Sequence, residues 1–190
     1  MADYFYFLSS LPMLRWGEKP PVSRERFMAL CQELLGTELA SEIGTLQLLP
    51  DETRKTMSPV AAAWHNFETF LRNTTGNIRR NRMRKSNAVM ANHATDYLSA
   101  IEAKRIEEIL AIASPLEREN ALDNLRWKFL DGLEARQTFS KGSVEIYALR
   151  LLLLEKHASR QYEAGKAAFD KLMNDGLEKA IKVRTTEEVQ

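Results

Sequence analysis

The stretch "NIRRNRMRK", residues 77 to 85, places five cations (Arg79, Arg80, Arg82, Arg84 and Lys85) within nine positions, and no Asp or Glu occurs between Glu68 and Asp96. Three chemistries fit such a run: a solvated helix end, a docking surface for an acidic protein or anionic headgroups, or a grip on nucleic-acid phosphates. At roughly 100° per residue the cations spread around a helix and line no single face. The residues between them are Asn and Met, not the aromatics on which bases stack. The whole chain balances 27 Lys and Arg against 26 Asp and Glu. A dedicated nucleic-acid binder carries a larger basic surplus.

Other reactive residue types are sparse. Cys31 is the single cysteine, so an intrachain disulfide and a cysteine zinc site are both excluded, in keeping with a reducing compartment. His65, His93 and His157 stand far apart. His65 and Glu68 share the spacing of one helix face, but no second such pair exists to build a carboxylate-bridged metal centre, and the pair reads as a polar helix face. Phosphate-binding glycine loops and nucleophile elbows are missing from the sequence. No metal, no cofactor and no catalytic residue is expected. Arg150 interrupts the apolar run "VEIYALRLLLL". It is either buried against a carboxylate, with Asp123, Asp131 and Glu134 as candidates, or lies at an edge with its head reaching water. Trp127 reads as a core or inter-helix anchor and Trp16 as an interface residue.

The elements that must carry these residues are helical. Ser23 is placed to cap a helix whose apolar positions are Phe27, Leu30, Cys31, Leu34 and Leu35, with Gly36 to end it. Leu39, Ile43 and Leu46 give a short second helix. Ser58-Pro59 opens a third, striped by Val60, Trp64, Phe67 and Leu71, and Asn73 to Asn77, with Gly76, reads as a break. A long helix is expected from about Ile78 to Ala113, with the basic cluster near its start and an apolar face of Met83, Met90, Ala94, Tyr97 and Ile101. At that place the helix dipole opposes the cations, a cost that Glu68, an acidic neighbouring helix or a partner would offset. Ser114 and Glu117 have capping-box spacing before a helix carrying Leu122, Leu125, Phe129 and Leu133 inward. Gly142-Ser143 separates it from an apolar helix, Val144 to Ala158, that continues toward Phe169 and Leu172. Residues 4–11 fit either strand or helix, "NDG" at 174–176 marks a turn, and residues 176–190 read as a frayed tail.

The sum is an all-α, antiparallel bundle of six or seven helices. It forms a single helical domain over 1–190, or two lobes at 1–75 and 76–175. The first residues carry no basic region ahead of an apolar stretch, so they do not read as a signal peptide. The most apolar run is too short to cross a bilayer. A cytoplasmic or peripheral protein is expected.

Five strings occur in order: "YFYFLSSLPML", Phe27 to Leu35, "WHNFETFLRN", "LDNLRWKFLDGLE" and "IYALRLLLLEKH". Together they resemble an uncharacterised bacterial family encoded in V-type ATP synthase operons; Gly132 departs from the acidic residue expected there. The opening is also remotely similar to the connector subunit of V-type ATPases, an all-helical, non-catalytic part that joins the rotor shaft to the membrane ring. The resemblance implies a non-catalytic accessory or connector component, peripheral at the inner face of the cell membrane. Its partners would be shaft or ring subunits, met through Arg79 to Lys85. A helical nucleic-acid-binding protein using the same cluster is the alternative.

Overall fold

The computed structural model describes residues 4–49, 58–82, 100–160, 165–166 and 169–173. The helices that can be bounded among the described residues are α1 (Tyr4–Ser10), α2 (Arg24–Leu35), α3 (Thr37–Gly44), α4 (Pro59–Arg82), α5 (Ala100–Ala111), α6 (Pro115–Glu134) and α7 (Lys141–Ala158), and residues 169–173 are helical as well. The all-α bundle is as the periodicities predict, no strand occurs among the described residues, and residues 4–10 resolve as helix. No helix among them is long and apolar enough to cross a membrane.

Helix starts follow the capping chemistry of the sequence. The Ser23 hydroxyl accepts from the Arg26 amide at 3.2 Å, Ser58 from Ala61 at 3.1 Å and Ser114 from Glu117 at 3.3 Å. Each satisfies an amide that the first turn leaves without an intrahelical partner. Gly36 joins α2 to α3 at φ 94°, a conformation that a side chain would strain.

α7 is the axis of the bundle. Val144, Ile146, Leu149, Leu151, Leu153 and Leu154 are all buried, on nearly every side of the helix. A helix apolar all round is stable only when neighbours surround it, and α1, α2, α3, α4 and α6 all pack on α7. The predicted α4 stripe, Val60, Trp64, Phe67 and Leu71, is buried in full. Phe67 stacks on Phe129 of α6, with centroids 4.1 Å apart and planes within 8°. Cys31 is fully buried, and that burial pushes its thiol pKa up to about 12, so it has no thiolate to offer at neutral pH.

Several expectations need correction. Asn73 to Asn77 is no break: α4 runs through it to Arg82, crossing the boundary drawn between residues 75 and 76. Gly76 costs a helix interior only about 1 kcal/mol, and the buried stripe behind it more than offsets that. Of the helix expected over 78–113, Ile78 to Arg82 end α4 and Ala100–Ala111 form α5, which packs against α4; the residues between lie outside those described. Gly142-Ser143 does not separate the last two helices: α7 starts at Lys141 behind Ser140, so both residues lie within its first turn. At its far end α7 stops at Ala158, and Phe169 and Leu172 are exposed. Residues 83–99, with Met83, Met90, His93, Ala94 and Tyr97, and the stretch 174–190 lie outside the described residues.

Candidate functional site

The basic cluster is the first candidate. Arg79 and Arg80 lie in the last described turn of α4, some twenty residues into a helix and away from any helix start. The dipole cost attached to a helix N-terminus therefore does not apply to them. Arg79 is exposed and Arg80 half-buried. Arg82 belongs to the same helix, while Arg84 and Lys85 lie outside the described residues. Glu68, a candidate to offset this charge, is instead fully buried and turned to α6.

The charges of α6 sort into two ion-pair groups by the antiparallel register of α6 and α7. Arg150 pairs with Asp131, and its Nη1 lies 2.7 Å from Glu134 Oε2; the guanidinium carbon sits 5.1 Å from the Trp127 ring centroid. The Arg150 side chain keeps only 12% of its exposure while both carboxylates keep about half of theirs. Asp131 as a partner is thus as read from the sequence, but Asp123 is not. Two turns nearer the start of α6, Asp123 faces the far end of α7. Lys156 Nζ donates to its Oδ1 at 2.9 Å, and Arg160 Nη2 lies 2.7 Å from Oδ2, an ion-pair contact without hydrogen-bond alignment.

Asp123 belongs to a buried network that the sequence reading missed. Arg126, one turn on, donates Nε and Nη2 to the two Glu68 oxygens at 2.6 and 3.1 Å, and Nη1 to Asp123 Oδ1 at 2.7 Å. Glu68 and Asp123 are both wholly inaccessible. Burial acts against the Asp123 charge, but the Lys156 hydrogen bond and the cations of Lys156, Arg126 and Arg160 outweigh it and hold the carboxyl below its ordinary range. Burial likewise acts against Arg126, and Glu68 and Asp123 outweigh it, raising its pKa. The sequence signal was an i, i+3 Asp/Arg pair inside the apolar stretch "LDNLRWKFL", on the face opposite a lone Glu in "WHNFETF".

This network is structural chemistry. Each charge is met by an opposite one, and no group of three or more metal-capable side chains converges among the described residues. Beside it opens a cavity of about 400 Å³ lined by Leu46, Leu49, Leu152, Glu68, Arg126 and Lys156. Glu68, Arg126 and Lys156 are paired with each other or with Asp123, and the guanidinium of Arg24, also in the lining, donates to the Gly44 carbonyl at 3.1 Å. His65 stands on α4 one turn before Glu68, but Glu68 gives both oxygens to Arg126 and the two form no site.

The surface with the most unassigned chemistry is a groove of about 600 Å³ at the other end of α6. Trp127, Tyr147 and Arg150 form its floor; Leu8 to Leu14 make one wall and Gln137 to Phe139 the other. The Tyr147 hydroxyl donates to the Pro12 carbonyl at 2.9 Å, fixing the first wall. Trp16, half-buried, packs on Trp127 and His157, with centroids 5.6 and 5.1 Å away, and so braces α6 and α7. Trp127 is the inter-helix anchor expected. Met13 is 77% exposed, Phe5 60% and Phe139 49%, and the two phenylalanines meet edge to face at 4.7 Å.

The groove and the basic cluster occupy opposite ends of one body. α4 and α7 run parallel from a common end, where Ser58 Oγ donates to Glu145 at 2.6 Å. The groove lies at that end, and Arg79 follows Ser58 by about 30 Å of helix. Comparison with family models, with curated proteins and with solved structures finds no match to this chain.

Proposed function

We propose that the chain is a non-catalytic helical connector or accessory component of a bacterial V-type ATPase, working through protein–protein contacts. The observation that carries the reading is a helical body with two chemically different ends, one where α4 carries Arg79 and Arg80, one apolar with an acidic rim. A connector needs two such faces, each able to select a different neighbour.

The test is purification of tagged protein from its own host in mild detergent, with the co-purifying chains identified by mass spectrometry. V-type ATPase subunits should appear in near-fixed ratio. The triple reversal Arg79→Glu, Arg80→Glu and Arg82→Glu should cut their recovery by about tenfold or more with helix content unchanged. Equal recovery from that variant would remove the cationic end from the interface. Nucleic acid or unrelated proteins in place of the subunits would overturn the assignment as a whole.

A further inference from the structure

The groove between α1, the segment after it, α6 and α7 is built to receive something. Its lining exposes large apolar side chains: Met13 at 77% and Phe139 at 49%, with Phe5 at 60% touching Phe139 from outside. Phe139 holds φ at 41°, the only non-glycine residue with positive φ among the described residues. That conformation is uncommon for a bulky side chain and strains it. Glycine or asparagine would adopt it with less strain. The chain keeps a strained phenylalanine at the mouth of a groove, where half of it stays exposed.

The charge on the rim chooses the occupant. Three charged residues line the groove, Asp131, Glu134 and Arg150, a net charge of −1. The one cation is also the deepest: Arg150 is 12% exposed, against 50% and 51% for the two carboxylates. An arriving surface meets carboxylate oxygens, with the guanidinium beneath them. Such a rim repels anionic lipid and nucleic acid and favours Lys or Arg. Both walls and the floor are helix or helix-flanking segment with no strand edge, so docking by strand addition has no template here.

We propose that this groove is a docking site for an amphipathic helix of a partner protein. The helix inserts apolar side chains spaced i, i+3 or i+4 between Met13 and Phe139, and a neighbouring Lys or Arg pairs with Asp131 and Glu134. Arg79 and Arg80 lie about 30 Å of helix from this end of the bundle, and the occupant proposed is a helix of another molecule. The inference is independent of the ATPase assignment, since any partner with such a helix satisfies it.

The test is selection of a displayed library of helical peptides on the purified full chain, followed by anisotropy titration of the enriched peptides made synthetically. Enriched sequences should combine an apolar i, i+3/i+4 face with flanking Lys or Arg, and replacing those cations by Glu should weaken binding about tenfold or more. Phe139→Gly removes the ring and relieves the φ strain, so this variant should fold at least as well as the parent. It should still lose binding by about tenfold or more. Glu134→Lys should do the same and restore some affinity for the Glu-bearing twin. No enrichment, enrichment of acidic peptides, or undiminished binding by folded Phe139→Gly would each overturn the proposal. So would binding of anionic vesicles that Phe139→Gly abolishes while no peptide is selected, since the groove would then be a lipid surface.

Discussion

Replacing Arg126 by methionine should destabilise the protein by about 3–5 kcal/mol, a large part of the stability of a domain this size. The reason is what the substitution leaves behind. Glu68 has no accessible surface, and both its oxygens take their hydrogen bonds from Arg126. Without the guanidinium the carboxylate is buried and uncompensated. Asp123 fares better, because Lys156 and Arg160 remain within reach. Removing the acid as well, in Glu68→Met with Arg126→Met, should recover most of the loss, since a buried pair exchanged for apolar groups of similar volume is often neutral. Urea unfolding of the two variants decides the matter. A single variant losing under about 1 kcal/mol, or a double variant as unstable as the single, would show that Arg126 matters for its packing and not for its charge.

The same network has a pH signature. The Asp123 carboxyl is held below its ordinary value in the folded state, so its contribution to stability is complete above the unfolded value of about 3.9. It falls away as pH drops through the folded value. Thermal midpoints should therefore decline below about pH 4, and Asp123→Asn should flatten that decline while lowering stability at neutral pH. An unchanged acid slope in Asp123→Asn would assign the decline to other carboxylates.

How much of this was legible in the sequence depends on the range of the interaction. Helix caps are local: a Ser before Pro or before a periodic run predicts Ser23, Ser58 and Ser114 correctly. The α4 stripe is equally local, a matter of 3.6-residue spacing. Asn73 to Asn77 misleads because Asn, Thr and Gly all disfavour helix, and the opposing force comes from burial of Leu71 and half-burial of Ile78, which the local composition does not record. The ion pairs needed one more piece of information, the register of α6 against α7. Charge alone made Asp123 and Asp131 equal candidates for Arg150. The antiparallel hairpin separates them, giving Asp131 to Arg150 and Asp123 to Lys156. Glu68 with Arg126 lies beyond any local rule, since 58 residues separate them. The groove follows the same logic: exposed Met13 and Phe139 are unremarkable in sequence and become a surface only when α1 and the α6–α7 turn are brought side by side.

That convergence rests on Phe27, and Phe27→Ala should cost about 3–5 kcal/mol. The ring is 1% exposed where α1, α2 and α7 meet. It stacks on Tyr147 at 5.2 Å with planes 25° apart, and lies 6.2 Å from the fully buried Phe7. Three helices cannot all close on the vacated space, so the cavity persists and the loss stays near the upper part of the range for aromatic truncation. Phe27→Leu, which fills much of the volume, should cost far less. The effect should also reach the groove. Tyr147 keeps its hydroxyl bond to Pro12 only while its ring is held, and Pro12 anchors the wall that carries Met13. Under conditions where Phe27→Ala is still folded by far-ultraviolet circular dichroism, its affinity for peptides selected on the parent should fall more steeply than that of Phe27→Leu. Equal affinities in the two folded variants would mean that the wall stands without the stack and that the groove is shaped by α6 and α7 alone.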